Sequence, residues 1–330
     1  MTKLLTLLAL LLAIAAPARA DETPIRLGYA KCAHCMPLSL APKYGGDVKI
    51  EAIAFNTGND VLTALLSKSI DVAQITYLHY ATALDRGFDV IAISGQVNGG
   101  SQILLNNDLP VKEGDWDGLK ALIAKYKADG KPFRVAASRG NAQDLHMRGA
   151  FATHGIDVNK DVQFINIPNP ADHAAALRRG EVELICSVDP FASQVRMTGA
   201  GKFFAYPYDQ AAGKLTNLIL TRPDVIKDHP KEVQAVVTAI VKIDDAIGQD
   251  KKLWADTIVS GTGLDRAIAD EAIKNLYPDY DMHRESAVAI AKMMFELKYI
   301  SKDVSPAVEK NMDYQFLEVA TGKPKSELGY

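Results

Sequence analysis

Short apolar strand patterns alternate with helical patterns along most of this 330-residue chain, and this alternation constrains the fold more than any single motif. The first strand patterns are at residues 25–29, 48–54, 70–75 and 90–94, and stretches with apolar residues at helical spacing separate them. Parallel strands need a helix-length return connection, so repeated strand-helix-strand units predict a mainly parallel sheet with right-handed crossovers. We therefore expect an α/β fold in which the ligand binds at the carboxyl ends of the strands.

A second series of the same kind follows Pro110. It has predicted helices and strands at 116–127, 134–137, 142–153, 162–167, 171–179 and 182–186. After a possible return strand at 215–221, the pattern is almost wholly helical, with predicted helices at 230–247, 266–275, 283–299 and 313–320. A chain of this length exceeds what one hydrophobic core usually serves, so two α/β lobes are expected.

Residues 1–20 have the features of a secretory signal peptide. Lys3 gives the positive start, the apolar run from Leu4 to Ile14 is too short to span a bilayer, and Ala18-Arg19-Ala20 offers a cleavage site. No cysteine stands at the cleavage site to take a lipid anchor. The sequence therefore predicts an exported, periplasmic protein without a lipid anchor.

Charge and motifs exclude several functional classes. Loss of Lys3 and Arg19 with the signal peptide takes the formal charge from −3 to about −5. No basic stripe remains, so nucleic acid is not an expected partner. The sequence lacks a Gly-x-Ser-x-Gly elbow, a phosphate-binding loop, a His-Glu-x-x-His pair and a dinucleotide fingerprint. We expect neither an enzyme nor a bound cofactor.

Several fragments, in order, resemble the periplasmic substrate-binding proteins of ABC importers of the nitrate, sulfonate and taurine type, a family that includes pyrimidine-precursor binders related to thiamine-pyrimidine synthases. The resemblance covers essentially the whole mature chain. The fragments are Gly28-Tyr29 with Pro37-Leu38, Val61 to Ser67 leading into Ile70 to Ala73, Gly155-Ile156-Asp157, Ala175 to Val182, Leu220 to Asp224, and His229-Pro230.

The resemblance implies a two-lobed periplasmic binding protein of type II. Each lobe would be a mainly parallel sheet flanked by helices, with the ligand cleft between the lobes. Lobe 1 would comprise residues 21–107 plus 213–330, and lobe 2 residues 108–212. Such a protein, expected as a monomer, would close over a small anionic or heteroaromatic organic molecule and present it to an inner-membrane ABC permease.

The segment from Ser138 to Asp144 lies between a predicted strand and a predicted helix. Unpaired backbone N–H groups and the positive end of the helix dipole suit an anion there, and Arg139 would add a charge-assisted hydrogen bond. Alternatively, Asn141 and Asp144 cap the helix and Arg139 is solvated. The resemblance favours ligand binding by Arg139, Asn141 and Asp144, because family members place ligand-binding residues at this turn.

Asp189-Pro190 stands where many family members carry a Glu-Pro pair whose acid faces the cleft. The resemblance therefore implies that Asp189 binds an amine or ring nitrogen of the ligand. Aspartate followed by proline is also a common start of a helix. A buried Asp189 beside Arg139 would instead pair internally.

The loop Cys32-Ala33-His34-Cys35-Met36 is not explained by the resemblance. In an exported protein a local disulfide between Cys32 and Cys35 is the first interpretation, and ligand contact by Cys32, His34 and Cys35 is compatible with it. The second is a copper(I) or zinc site formed by Cys32, His34, Cys35 and Met36 and completed by Cys186, which would make the protein a metal or redox carrier. The third is redox exchange, for which the thioredoxin context is missing.

Further polar and aromatic residues stand near predicted strand ends. We treat them as candidate ligand contacts only as a group that converges on one site, because each residue alone is equally suited to packing or capping. These residues are Tyr29, Asn59, Thr76, Tyr77, Gln96, Asn98 and Ser101.

Overall fold

The computed structural model describes residues 23–330, so the predicted signal peptide lies outside the described residues. The strands are β1 Ile25–Ala30, β2 Ile50–Phe55, β3 Val72–Thr76, β4 Ile91–Ser94, β5 Gln96–Gly99, β6 Ser101–Leu105, β7 Arg134–Ala137, β8 Gln163–Asn166, β9 Leu184–Val188, β10 Lys202–Ala205, β11 Asn217–Thr221 and β12 Leu276–Asp279. The α-helices are α1 Ala41–Tyr44, α2 Gly58–Leu66, α3 Tyr77–Asp85, α4 Trp116–Ala128, α5 Ala142–Thr153, α6 His173–Arg178, α7 Phe191–Met197, α8 Pro223–Asp228, α9 Pro230–Gln249, α10 Lys251–Thr262, α11 Arg266–Ile273, α12 Arg284–Glu296, α13 Ser305–Lys310 and α14 Gln315–Thr321.

The first sheet has the strand order β2-β1-β3-β11-β4. Strand β1 pairs in parallel with β2 and β3, with Ile25 opposite Ile50 and Gly28 opposite Ala73. Strand β11 runs antiparallel to its neighbours β3 and β4. The predicted mainly parallel sheet is confirmed, and its antiparallel member is the return strand.

The second sheet, built from residues 101–205, has the order β10-β6-β9-β7-β8. Strand β7 pairs in parallel with β8 and β9, whereas β6 runs antiparallel to β9 and β10. We call the body around the first sheet lobe 1 and the body around the second sheet lobe 2. The residue boundaries near 107 and 213 stay a prediction.

A short two-stranded sheet lies where the chain passes between the lobes. Strand β5 leads from lobe 1 into β6 of lobe 2 and pairs antiparallel with β12, with Gln96 opposite Asp279. The expectation of an almost wholly helical chain after residue 221 is therefore wrong at β12. This strand has four residues, includes Pro278 and pairs with β5 alone, so it has little sequence signature of its own.

Capping boxes fix where two lobe 1 helices begin. The Thr57 hydroxyl accepts a hydrogen bond from the Asp60 N–H, and the Asp60 carboxylate accepts one from the Thr57 N–H. Thr57 is therefore the N-cap of α2, and the Asn59 side chain is available for other contacts. Thr76 and His79 make the same reciprocal arrangement at the start of α3.

The hydrophobic core of lobe 1 extends across the boundary between the lobes. It includes the fully buried Trp254 and continues to Leu145, Val188 and Phe191 of lobe 2. Lobe 2 has two core clusters of its own. The lobes are therefore in contact. Within residues 23–330, no helix has the length and apolar character needed to cross a membrane.

Candidate ligand-binding cleft

A small cavity lies between the two lobes at the strand-end edge of both sheets. Both lobes contribute to its wall, through the ends of β1, β3, β7 and β9 and the helices that follow. Its lining residues are Ala30, Lys31, Cys32, His34, Cys35, Asn56, Thr57, Gly58, Gln74, Ile75, Thr76, Ser138, Asn141, Ala142, Gln143, Pro170 and Val188.

Three helix N-termini face this cavity. The first residues of α2 and α5, Gly58 and Ala142, both line it, and so does Thr76, the N-cap of α3. The helix dipole, together with the N–H groups that the capping residues leave unpaired, gives each terminus a partial positive charge. Because α2 and α3 belong to lobe 1 and α5 to lobe 2, an anion in the cavity would be held from both sides.

The cavity carries no negative side chain and is small. Of the described residues that line it, Lys31 is the one with a formal charge, and none is acidic. The cavity volume is about 40 Å³, and one water needs roughly 10 to 15 Å³ of such space. The site therefore has room for a ligand of very few non-hydrogen atoms.

Gln143 and His34 present buried polar groups to the cavity. Gln143 lies in the first turn of α5, is buried and lines the cavity. His34 is buried, and its Nδ1 has no partner among the same residues. Burial, followed by the nearby His146, lowers the pKa of His34 to about 3, so its imidazole is neutral at physiological pH. Both groups can hydrogen-bond a ligand.

Two side-chain contacts join the lobes beside the cavity. Asn59 of α2 donates from Nδ2 to the Arg139 carbonyl at 3.0 Å. The Tyr299 hydroxyl donates to Asp144 Oδ2 at 2.6 Å, and Asp144 also accepts from the Gly140 N–H. Asn59, Arg139 and Asp144 thus take part in contacts between the lobes, and none of the three lines the cavity.

A basic groove of about 500 Å³ lies outside the contact between Asn59 and Arg139. None of the described lining residues is acidic. Four basic side chains from both lobes line the groove, namely Arg86, Arg139, Arg148 and Lys298. The Arg139 and Arg148 guanidinium groups lie 4.7 and 4.8 Å from the Phe164 ring centroid. Arg148 pairs with the buried Asp144 at 2.7 Å, so the other three basic side chains are the ones that raise the local concentration of anions at the groove.

Asp189 does not line the cavity. Its carboxylate is fully buried and accepts hydrogen bonds from Gln102, Asn275 and both the N–H and hydroxyl of Ser193. Burial raises the pKa of Asp189 to about 6, because its hydrogen bonds do not fully replace water. The carboxylate joins β6, α7 and the segment before β12, and Arg139 is not among its partners.

Asp189→Ala is expected to lower the free energy of unfolding by about 1 to 3 kcal/mol, because it leaves buried donors on Gln102, Ser193 and Asn275 unpaired. Urea unfolding measures this effect, with the exposed Asp117→Ala as control. If the Asp189→Ala variant were as stable as the wild type but bound its ligand more weakly, the structural role of Asp189 would be contradicted. Asp189 would then be a ligand contact, as the resemblance implies.

Five other candidates from the sequence also lie away from the cavity. Tyr29 is in the lobe 1 core, and the buried Tyr77 hydroxyl donates to the Met282 carbonyl. Gln96 and Asn98 lie within β5 and bond Asn217 and Asp279, respectively. The Ser101 hydroxyl bonds His146 Nδ1 at 2.8 Å. Of these five, Gln96, Asn98 and Ser101 lie on β5 and β6, so their hydrogen bonds fix the chain where it passes between the lobes.

The candidates that do line the cavity are Thr76, Asn141, Cys32, His34 and Cys35. The two cysteines form a disulfide in the structure, as in the first interpretation. Met36 packs against Gly261 of α10, and Cys186 is buried in the lobe 2 core with a pKa raised by burial. Neither Met36 nor Cys186 is part of the cluster formed by Cys32, His34 and Cys35.

The sequence analysis did not select several lining residues. Three of them are polar residues at or just before the start of a helix: Asn56, Thr57 and Gln143. Their place at a helix start is the sequence signal by which they could have been identified. Gln74 lies within β3, where its Oε1 accepts from the Ala30 N–H and its Nε2 donates to Asn217 Oδ1. Gln74 therefore holds the end of β1 in place.

Comparison with known proteins identifies the family. Residues 18–258 match the NMT1-like family, which is more than half of the chain. The chain belongs to the NMT1-like family. A curated relative, the bicarbonate-binding protein CmpA of Synechococcus sp., is 25% identical over 242 residues, which cover 66% of this chain and 52% of CmpA. This NMT1-like chain thus spans about half the length of that relative.

Solved structures of periplasmic binding proteins share the fold. The periplasmic nitrate-binding protein NrtA of Synechocystis matches with a TM-score of 0.78 and 18% identity over 93% of this chain and 91% of its own. The alkanesulfonate-binding protein SsuA of Xanthomonas axonopodis pv. citri, bound to MOPS, matches with a TM-score of 0.73 and 18% identity over 89% of this chain and 99% of its own. The NMT1-like chain therefore has the periplasmic-binding-protein fold.

Proposed function

We propose that this protein is the periplasmic solute-binding component of an ABC importer and that its solute is a small anion. One observation carries the proposal: helix N-termini from both lobes face one cavity whose described lining residues include no acid. Relatives named for bicarbonate, nitrate and sulfonate binding support it. The solute would be captured by lobe closure and passed to an inner-membrane permease.

Cavity size narrows the class of anion. A volume of about 40 Å³ suits an ion of the size of nitrate or bicarbonate better than a heteroaromatic ring or a long sulfonate. The basic groove with Arg86, Arg139, Arg148 and Lys298 would attract such ions, and its effect would weaken with salt. Closure requires that the ligand contact both lobes, because a ligand shifts an equilibrium only by its differential affinity.

A thermal-unfolding screen of the mature protein tests this function. Nitrate, nitrite, bicarbonate, sulfate and methanesulfonate form the anion panel, and uracil and thiamine form the ring panel. A ligand at about a hundred times its dissociation constant adds roughly 2.7 kcal/mol of stability. We expect a shift with at least one small anion. A shift with the ring compounds alone would contradict the proposal, and mass spectrometry of the natively purified protein would identify a retained solute.

Gln143→Ala is expected to weaken binding of that anion by about tenfold or more, because a hydrogen bond to a charged group is worth about 1.5 to 3 kcal/mol. Calorimetry measures the affinity. Gln249→Ala, at the exposed end of α9, is the matched control and should bind as the wild type does. Equal affinity of all three proteins would remove Gln143 from the site.

A further inference from the structure

The anion cavity does not account for the chemistry of the loop that forms one of its walls. Cys32, His34 and Cys35 are buried, and one donor atom from each lies within 4.8 Å of the others. All three residues line the cavity. A disulfide alone requires no histidine between its cysteines, so the position of His34 needs a separate explanation.

Contacts with both lobes hold this loop in place. The Trp254 indole N–H donates to the Ala33 carbonyl at 2.9 Å, and the Ala33 N–H donates to the Asp189 carbonyl at 2.9 Å. Ala33 is fully buried. The backbone between the two cysteines is therefore anchored independently of the disulfide, and we expect the loop to keep its shape when the disulfide is reduced.

His34 supplies a second, independent observation. It is 3% exposed, and its Nδ1 has no hydrogen-bond partner within residues 23–330. A buried polar atom without a partner is uncommon in proteins, because burying it costs free energy that a bond would recover. A metal ion bound at Nδ1 would remove this cost, and thiolates with imidazole form the donor set that soft metal ions prefer.

We propose that, once the disulfide is reduced, Cys32, Cys35 and His34 bind one soft metal ion, copper(I) or zinc(II), at the wall of the cavity. A thiol reductant would attack the disulfide, so that one S–S bond is exchanged for another, two electrons pass to the Cys32 and Cys35 sulfurs, and the reductant leaves as its own disulfide. Metal binding then displaces the two thiol protons. For zinc(II), which usually takes four ligands, three protein ligands would leave one coordination position open.

The experiment uses the mature protein carrying Cys186→Ala, so that each thiol counted belongs to the loop. A phosphine reductant converts the disulfide and one water into two thiols and a phosphine oxide, and it is then removed without oxygen. Copper(I) is titrated against bicinchoninate and zinc(II) against a chromophoric chelator. We expect one equivalent of at least one of the two ions in the reduced protein and none in the oxidised protein.

His34→Ala should lower the affinity by at least about tenfold. His229→Ala, at an exposed histidine outside the cavity, is the control. X-ray absorption of the metal-loaded protein should show two sulfurs and one nitrogen from the chain, a readout that does not depend on how well a variant folds. If the reduced protein binds only one of the two ions, copper(I) or zinc(II), that result identifies the metal of the site.

Three outcomes would overturn the proposal. The first is a reduced protein that binds neither ion. The second is a His34→Ala variant that binds as tightly as the wild type with an unchanged absorption spectrum. The third is a disulfide that the phosphine cannot reduce while circular dichroism shows the native fold. None of these depends on which anion the cavity takes, so the metal site can fail while the proposed function stands.

Discussion

Replacing Gly58 by leucine is expected to weaken anion binding by roughly 5- to 150-fold, which corresponds to an overpacking cost of about 1 to 3 kcal/mol in the closed form. A Cβ atom at Gly58 would lie 2.8 Å from Asn141 Oδ1 across the cleft and 2.7 Å from His79 Cε1 within lobe 1. Hydrogen bonds hold both neighbours, Asn141 to Ser138 and His79 to Thr76 and Asn59. The larger side chain would therefore keep the lobes apart.

The two close contacts have different consequences, and this makes the result interpretable. The contact with His79 is present in the open and the closed form, so it lowers stability alike in both. The contact with Asn141 exists only when the lobes meet, so it appears as lost affinity. Calorimetry measures affinity, and X-ray scattering measures the radius of gyration, which should be larger in the variant.

Gly248→Leu is the matched control, because Gly248 lies on the exposed side of α9 and a Cβ there would meet no atom within 4 Å. This control should bind and scatter as the wild type does. If Gly58→Leu bound the anion with wild-type affinity, the cavity between α2 and α5 would not be the ligand site.

Elements with strong local periodicity could be predicted from the sequence. Helix α5 and strand β7 occur at the predicted residues, because each has a clear apolar pattern and Asn141, a residue type common at N-caps, precedes the helix. Strands β5 and β12 were missed. They are four residues long and pair across almost 180 residues of chain, so their stability comes from partners that no local pattern reveals.

The candidate site could be predicted in part, for a related reason. The rule that ligands bind at the carboxyl ends of strands selected Thr76, Asn141 and the cysteine loop, all of which line the cavity. The rule fails for Tyr29, because strand alternation directs this side chain into the core. It also fails for Asp189, whose hydrogen bonds come from residues as distant as Asn275. Such partners become known only once the chain is folded.

The free energy of unfolding is expected to fall steeply as the pH drops below about 6.5, because four buried histidines stay neutral in the folded protein. Burial is the main cause that lowers their pKa values, to about 3 for His34 and His79 and about 4 for His146 and His173. Their stabilising effect is complete above the unfolded pKa of about 6.5 and is lost as the pH falls toward the folded values.

Two buried carboxyl groups act in the opposite direction. Burial raises the pKa of Asp189 to about 6 and also raises the pKa of Asp244. At a pH where these two carboxyl groups are already ionised in the unfolded protein, they are still protonated in the folded protein. Because the four histidines outnumber the two carboxyl groups, unfolding takes up protons below about pH 6, and the free energy of unfolding falls as the pH falls.

His173→Gln separates one histidine from this sum. His173 is bonded through Nδ1 to Ser187 Oγ and through Nε2 to the Ile167 carbonyl, and it does not line the cavity. The variant should be less stable at neutral pH, but its stability should depend less on pH, by about 1.4 kcal/mol per unit below about pH 6. Urea unfolding at several pH values measures both slopes, with the exposed His229→Gln as control. Parallel profiles for wild type and His173→Gln would show that His173 is not kept neutral by burial, and the acid sensitivity would then need another source.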